Sequence, residues 1–259
     1  MPCLGNIQTE RGALRKGFLQ GACINRPPGV GYVRMRFRLL FLLAAGMAGQ
    51  AAASVWNDLD PAQRQSVKGG KQVLIEEAVE GQPWPRARVY RVVNASPEQV
   101  AAVFFDYAEA KTYIPDVLSS RVNQLVSPCV AEVEYEVDVP ILSDEVYVAR
   151  NELRQLPDET YEISWTLLRA LQTKAAKGNL HIEPFGEKSI IRYTNLVTPG
   201  SGMAGLLRHL AMGRMEQTVE AIGRKAESQR KSHPAALASQ VEKLREALAS
   251  SGNRECGDN

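Results

Sequence analysis

The stretch CVAEVEYEVDV, residues 129–139, decides the fold class, because apolar and acidic side chains alternate along it. Alternation with a period of two is typical of a β-strand that has one covered and one solvated face. Because one face is solvated, we predict an antiparallel sheet with a single covered side. The residues of the covered face are Ala131, Val133, Tyr135, Val137 and Val139.

The same period continues on both sides of this stretch. Two segments nearer the N-terminus, 72–79 and 86–93, are predicted as strands, and they form either a hairpin or one interrupted strand. Further strands are predicted at residues 145–156, 161–167, 177–183 and 189–198. In the second of these, the covered face carries Tyr161, Ile163, Trp165 and Leu167.

A long helix is predicted after the strands, since the break Pro199-Gly200-Ser201-Gly202 precedes a helical pattern that begins near Met203. Only the covered face of the sheet offers an apolar surface of matching size, so we expect the helix to pack there. Its apolar stripe consists of Leu206, Leu207, Leu210, Ala211, Met215, Val219 and Ile222.

Shorter helices are also predicted, some between the strands and others before the first strand or after the long helix. Ser96-Pro97 is a strong helix start, with the serine as cap and the proline in the first turn. A second short helix follows and ends at Pro115. Another helix is predicted near Asp60, and a loosely attached one at residues 234–249.

Three short motifs join these elements in a distinctive order. They are Ala95-Ser96-Pro97-Glu98-Gln99-Val100 leading to Phe105-Asp106-Tyr107, then Tyr113-Ile114-Pro115-Asp116-Val117, and finally Arg192-Tyr193 through Pro199-Gly200 into the long helix. In these motifs and their order, residues 73–229 resemble the START-like, helix-grip superfamily, also called SRPBCC, and within it the polyketide-cyclase and coenzyme Q-binding START-like branch. The resemblance implies an α+β helix-grip fold, in which a curved antiparallel sheet wraps around the long C-terminal helix and two short helices follow the first strand.

In this superfamily a deep apolar cavity lies between sheet and helix, so the resemblance implies a hydrophobic ligand: a lipid, a quinone or another isoprenoid. A cyclase or dehydratase acting on an apolar substrate in the same cavity is the alternative. The same side chains would also fill an ordinary core. The residues predicted to line the cavity are Phe104, Tyr107, Tyr113, Ile114, Val133, Tyr135, Val137, Tyr147, Asn151, Ile163, Trp165, Leu167, Tyr193, Asn195, Met203, Leu207, Leu210 and Met215.

Four polar side chains, Asp106, Asn151, His181 and Asn195, are predicted inside this cavity or at its rim. In an enzyme, Asp106 or Asn151 would have to act as acid or base with Tyr107 or Tyr147. At the mouth we expect Tyr113–Val117 and residues 198–203, which either form a lid or anchor the helix rigidly.

Signatures of metal and cofactor sites are missing from the sequence. Its three histidines form no His-x-x-x-His pair, no Cys-x-x-Cys pair occurs, and no glycine-rich phosphate loop follows a strand. We therefore predict no metal and no cofactor. The formal net charge of +2 does not suggest a nucleic-acid partner, whereas transient contact with a membrane is compatible with a hydrophobic ligand. Nothing in the sequence predicts the oligomeric state.

Residues 35–53 have the pattern of an export signal, with Arg36 and Arg38 before an apolar run and Ala51-Ala52-Ala53 after it. A signal core needs about 7–15 apolar residues and a membrane-spanning helix about 20, so cleavage near Ala53 is favoured over an uncleaved membrane anchor. The mature protein is thus predicted to be periplasmic or secreted.

The leader defines the remaining organisation. Residues 1–34 are interpreted as a mis-assigned start, with translation beginning at Met35, or as an extended leader. After the signal come an N-terminal extension at 54–71, the START-like ligand-binding domain at 72–229, and a C-terminal tail with a short helix at 230–259. The sequence leaves open whether Cys129 and Cys256 form a disulfide.

Overall fold

The computed structural model describes residues 54–139, 143–200 and 204–250, apart from the side chains of 204–206. The predicted leader, Met203 and Cys256 lie outside the described residues.

Eight strands form one antiparallel sheet in the spatial order β1-β2-β8-β7-β6-β5-β4-β3. Strands β3 to β8 follow one another as a meander, and β8 returns to pair with β2. The predicted antiparallel sheet is confirmed. The strand bounds are β1 Val73–Glu77, β2 Arg86–Val93, β3 Val117–Ser127, β4 Val130–Val137, β5 Glu145–Leu156, β6 Thr160–Ala170, β7 Thr173–Phe185 and β8 Lys188–Pro199.

Strand β3 is the element that the sequence pattern does not predict. It is an edge strand, and its register against β4 shifts at three places, so its side chains do not keep the period of two. Leu125, at its far end, is 68% exposed. At the opposite edge, β1 and β2 form a hairpin with Leu74 opposite Val89, which resolves the two alternatives left open by the sequence.

The described residues contain four α-helices, together with the 3₁₀ helices Val55–Asp58 and Tyr107–Thr112. Their starts follow the predicted signals. In α2, Ser96 and Gln99 form a capping box, in which the serine hydroxyl accepts from the Gln99 N–H and the glutamine side chain accepts from the Ser96 N–H. The bounds are α1 Pro61–Lys68, α2 Pro97–Phe105, α3 Ala204–Ser232 and α4 Pro234–Ser250.

The main core lies between the inner, concave face of the sheet and helices α2, α3 and α4. Val133 of β4, Ile163 of β6 and Leu180 of β7 point into it, as do Val219 and Ile222 of α3, and all five are fully buried. Among the strands, α3 packs mainly against β2. The long helix therefore crosses the inner face close to one edge of the sheet.

The expectation that α4 is loosely attached is wrong. Its apolar stripe is buried against α2, with Leu244 fully inaccessible to solvent. Arg245 donates to both carboxylate oxygens of Glu98 at 2.7 Å, and Gln240 Nε2 donates to Asp106 Oδ2 at 2.9 Å. An apolar stripe with paired polar side chains on its margins makes α4 part of the core.

The prediction of a single covered side also needs correction. The N-terminal extension packs on the outer face of β2 and β8, where Val55, Leu59 and Val67 bury Tyr90 and Ile190 in a second apolar cluster. We call the extension, residues 54–68, the outer cover. The sequence did not reveal it, because the pattern of residues 129–139 describes the solvated half of the same face.

Polar contacts fix the outer cover to the sheet. Asp58 accepts hydrogen bonds from Tyr90 Oη at 3.0 Å and from Arg192 Nη1 at 2.9 Å. Trp56 packs against Phe185 with ring centroids 5.0 Å apart. The outer cover is thus held by hydrogen bonds, an ion pair and an aromatic contact in addition to its apolar burial.

Candidate functional site

Aromatic side chains run across the inner face of the sheet. Tyr135 on β4 lies opposite Tyr147 on β5, and their rings stack with centroids 5.2 Å apart. Trp165 on β6 contacts Tyr193 on β8 at 4.8 Å and Phe104 of α2 at 6.1 Å. Strand alternation and register therefore place these aromatic rings, predicted from the sequence, on the same surface.

Gly178 on β7 makes room for this arrangement. It lies opposite Trp165, and a Cβ atom at residue 178 would come within 2.5 Å of Trp165 Cζ2 and even closer to the Thr194 carbonyl oxygen. The indole ring can reach across β7 to Tyr193 because residue 178 has no side chain. The sequence analysis missed Gly178, although a glycine inside a strand is itself a signal of close approach.

The tyrosines of this surface are surrounded by protein but are not completely buried. Burial raises the pKa of Tyr113, Tyr135, Tyr147 and Tyr193, in each case as the largest cause. Nevertheless all four residues are only partly buried and remain in part exposed to solvent. Groups that are surrounded by protein and yet accessible typically line an internal space, as in ligand pockets.

Hydrogen bonding on the inner face is incomplete. Trp165 Nε1 donates to Asn195 Oδ1 at 3.4 Å, and Asn151 Nδ2 donates to its neighbouring main-chain oxygen of Ala149 at 3.1 Å. By contrast, the hydroxyls of Tyr135, Tyr147 and Tyr193 have no hydrogen-bond partner among the described residues. Buried or enclosed hydroxyls are normally paired, so these three are available to a bound molecule.

The other predicted lining residues differ in depth. Val133 and Ile163 are completely buried, Met215 is 8% exposed, and Tyr107 is 5% exposed with its hydroxyl unpaired among the described residues. Met203 is outside the described residues. The remaining ones are partly buried, with Ile114 beside the second 3₁₀ helix, Val137 and Leu167 on strands, and Leu207 and Leu210 on α3.

Two predicted polar residues of the cavity lie elsewhere. Asp106 ends α2 and accepts from Gln240 of α4. His181 lies on the outer face of β7, with Nδ1 3.5 Å from Glu162 Oε2. The neighbours Leu180 and Ile182 already indicated this, because both are apolar and an intervening residue must point to the opposite face.

The predicted mouth segment Tyr113–Val117 is tied to the long helix. Arg214 of α3 forms an ion pair with Asp116 Oδ2 at 3.2 Å and donates from Nη1 to the Asp138 carbonyl oxygen at 2.6 Å. Asp138 N–H in turn donates to the Asp116 carbonyl oxygen at 2.8 Å. One arginine therefore holds two loops together at this end of the sheet.

At the same end, the hairpin between β6 and β7 is pinned. Glu145 is buried, and its carboxylate accepts from the main-chain N–H groups of Gln172 and Thr173 at 3.0–3.1 Å. Gly200 packs directly on the Gln172 carbonyl oxygen, where a side chain would clash. This close approach explains why residue 200 is a glycine.

No family model matches the chain, and no curated protein matches its sequence. Solved structures do resemble it. The STAR-related lipid transfer protein from Xanthomonas axonopodis is 17% identical, with a TM-score of 0.55, and the match covers 60% of this chain and 93% of that one. Human STARD10 is 16% identical with a TM-score of 0.50, and the match covers 63% of this chain and 74% of the other.

This chain has a START-like, helix-grip fold. A third structure, the Zhui aromatase/cyclase from Streptomyces sp. R1128, is 15% identical with a TM-score of 0.49 over 57% of this chain and 96% of its own. In the START-like domain the aromatic surface of the sheet faces the side on which α2 and α3 pack, as the sequence resemblance implied.

The described residues of the START-like domain contain no helix with the length and hydropathy needed to span a bilayer. Nor do those residues include a group of three or more histidine, cysteine or acidic side chains arranged to hold a metal ion. Cys129 is buried, and its Sγ lies 3.5 Å from the Ala247 carbonyl oxygen of α4.

Proposed function

We propose that the START-like domain binds and carries a hydrophobic ligand between the inner face of its sheet and α3. The observation that carries this proposal is the tyrosine-lined surface, whose residues are surrounded by protein and still partly exposed to solvent. Apolar walls with a few polar groups are the usual composition of small-molecule sites.

The unpaired hydroxyls narrow the ligand class. Tyr135, Tyr147 and Tyr193 each offer a hydrogen-bond donor, and burial keeps them protonated by raising their pKa. A ligand that leaves them unpaired would forfeit favourable hydrogen bonds, whereas oxygen acceptors on its apolar frame would satisfy them. We therefore favour an oxygen-bearing ring compound, such as a quinone or another isoprenoid, over a saturated acyl chain.

Trp165 provides a direct test, since its indole ring contacts Tyr193 and Phe104 on this surface. Titration with a short-chain quinone should shift or quench the tryptophan fluorescence, and titration with a saturated fatty acid of equal length should do so more weakly. Trp165→Phe should remove most of the change. If Trp165→Phe leaves the whole change intact, the ligand does not bind beside Trp165.

Leu210→Asp tests the helical wall. Leu210 is partly buried on α3, and a carboxylate there would disfavour an apolar ligand or destabilise the domain by several kcal/mol, on the order of 2–7. Mass spectrometry of the gently purified wild-type protein should identify the native ligand, and the variant should lack it. Unchanged ligand content together with an unchanged melting temperature would contradict this placement.

The alternative of a cyclase or dehydratase needs an acid–base pair in the same space. Of its candidates, Asp106 accepts a hydrogen bond from Gln240 of α4, and Asn151 donates to the Ala149 carbonyl oxygen of its own strand. Burial raises the pKa of Tyr147 and Tyr193, which makes both hydroxyls weaker proton donors and leaves them uncharged near neutral pH.

For ligand exchange we propose contact with a membrane surface at the end of the sheet that carries the β6–β7 hairpin. Leu171 at its tip is 71% exposed, and Leu168, an extra residue at a bulge in β6, is 47% exposed. Arg169 and Lys174 flank them, which suits an anionic lipid surface. Leu171→Ser should weaken sedimentation with anionic vesicles, whereas Leu125→Ser, equally exposed at the other end, should not.

We infer from the leader that this domain works outside the cytoplasm. The apolar run after Arg38 and the Ala51-Ala52-Ala53 pattern support an exported, cleaved product, in the periplasm or secreted. N-terminal sequencing of the native protein tests this directly. A first residue at Ser54 is expected, and peptides from residues 5–26 in the purified protein would contradict the proposed start at Met35.

A further inference from the structure

A buried carboxylate on the outer face lies beside the first described residues of the chain. Glu183 of β7 is 8% exposed. Its Oε1 accepts from Ser54 Oγ at 2.5 Å, and its Oε2 accepts from the Val55 N–H at 3.1 Å. Both donors are neutral, so neither balances the charge of the carboxylate.

Among the described residues, His181 is the only side chain in an ion-pair contact with Glu183. Glu162 and Glu183 lie on either side of His181, whose Nδ1 is 3.5 Å from Glu162 Oε2 and whose Nε2 is 3.8 Å from Glu183 Oε2. Asn179 adds a neutral donor to Glu162 at 2.9 Å. Even a protonated imidazole would balance only one of the two carboxylates.

Two arginines lie near this cluster, but neither forms an ion pair with Glu183. Arg154 lies opposite Glu162 and helps to lower the pKa of that carboxyl, and it is 3.9 Å from Glu152. Arg192 on β8 is paired with Asp58 of the outer cover. A buried charge without a counter-charge is unfavourable. Glu183 therefore occupies a position where one more cation would be stabilising.

The main-chain nitrogen of Ser54 is placed to supply that cation. Nitrogen and Oγ of one serine are separated by three bonds, so this nitrogen lies within about 6 Å of Glu183 Oε1. In the uncleaved chain it is a neutral amide. Hydrolysis of the Ala53–Ser54 peptide bond by a signal peptidase adds one water, which leaves a carboxylate on Ala53 and an ammonium group on Ser54.

We propose that removal of the leader creates a new intramolecular ion pair. The new α-ammonium group of Ser54 pairs with the Glu183 carboxylate and completes the charge balance of the outer-face cluster. The inference rests on the proposed export and cleavage site. Its consequence is that the outer cover becomes more firmly attached after processing, because its first residue gains an ion pair with a buried carboxylate.

The test compares two chains that differ only at the N-terminus. One begins at Ser54 and the other at Ala51, and residues 51–259 form one compact unit. Glu183→Gln should lower the folding equilibrium constant at least about fivefold more in the chain that begins at Ser54, as expected for loss of one to two kcal/mol. An equal effect of Glu183→Gln in both chains would overturn the proposal.

A control variant and a second measurement complete the test. Ser54→Ala removes the hydroxyl bond in both chains and should have the same effect in each. If the Glu183→Gln variant does not fold, a second measurement is the rate at which the Ser54 α-amine of the wild-type mature chain is acetylated. Acetylation that is slower in the folded chain than in the urea-unfolded chain supports the ion pair. Equal rates in the two states overturn the proposal. A native N-terminus other than Ser54 also overturns it, and this result leaves ligand binding by the inner face untouched.

Discussion

The outer face beneath the outer cover and the inner face beneath α3 are both apolar, but their tyrosines differ in burial and in hydrogen bonding. On the outer face, Tyr90 is completely buried and its hydroxyl donates to Asp58. On the inner face, Tyr147 and Tyr193 are only partly buried and have no hydrogen-bond partner among the described residues. A closed, paired interface contributes stability, whereas an incomplete one can bind something else.

The largest expected effect concerns the closed side. Ile190→Ala removes a fully buried side chain from the outer cluster and should lower the free energy of unfolding by about 2–5 kcal/mol. Urea unfolding measures this loss. Ligand affinity of the folded variant should remain at the wild-type value, because Ile190 faces away from the aromatic surface.

Ile163→Ala is the counterpart on the inner face. It is equally buried and should destabilise the domain to a similar degree, but it also enlarges the space beside Trp165 and should therefore alter ligand affinity. Identical affinities for both variants would show that the two faces are not functionally distinct.

The next effect is steric. Gly178→Ala places a Cβ atom against the Thr194 carbonyl oxygen and the Trp165 ring, and it should destabilise the domain by about 1–3 kcal/mol while changing the tryptophan fluorescence of the free protein. Gly213→Ala is the control, since nothing lies within 4 Å of its new methyl group and alanine favours a helix. A normal emission spectrum for Gly178→Ala would contradict the tight contact.

A smaller effect is expected from removing one hydroxyl. Tyr193→Phe deletes a donor without a partner among the described residues, so the free energy of unfolding should change by less than about 0.5 kcal/mol. Affinity for an oxygen-bearing ligand should fall by up to about tenfold, and affinity for a saturated acyl chain should stay constant. Equal losses for both ligands would argue against a hydrogen bond from this tyrosine.

The smallest effect is a dependence on pH at the outer face. The hydrogen bond from His181 is the largest of the causes that lower the pKa of Glu162 below its ordinary value of 4.5. Its contribution to stability is therefore complete above that value and is lost as the pH falls through the lower folded-state pKa. Glu162→Gln should flatten this part of the stability curve, by about 1 kcal/mol or less.

Local signals predicted much of this fold. The capping box at Ser96 and the apolar alternation of β4 and β6 are encoded in neighbouring residues, and the structure places them as expected. Strand β3 escaped prediction because bulges interrupt its period, and the outer cover escaped because its partners Tyr90 and Ile190 are distant in sequence.

The candidate site shows the same limit. Alternation directed Tyr135 and Trp165 to the inner face, but their distances to other rings depend on register between strands, which one sequence does not encode locally. The pairing of Arg214 with Asp116 and of Glu183 with Ser54 joins residues far apart in the chain. Such contacts become visible only in three dimensions.

The pairing of β8 with β2 has a consequence for how the chain folds. Val93 lies opposite Ser189, so the pairing of β2 with β8 brings together segments about a hundred residues apart in the chain. Contacts between residues so distant in sequence form slowly during folding. The β1–β2 hairpin has no neighbouring strand until the last strand has been synthesised. A nascent chain that stops short of β8 thus leaves β2 without its second strand partner, and the sheet stays open until that strand is added.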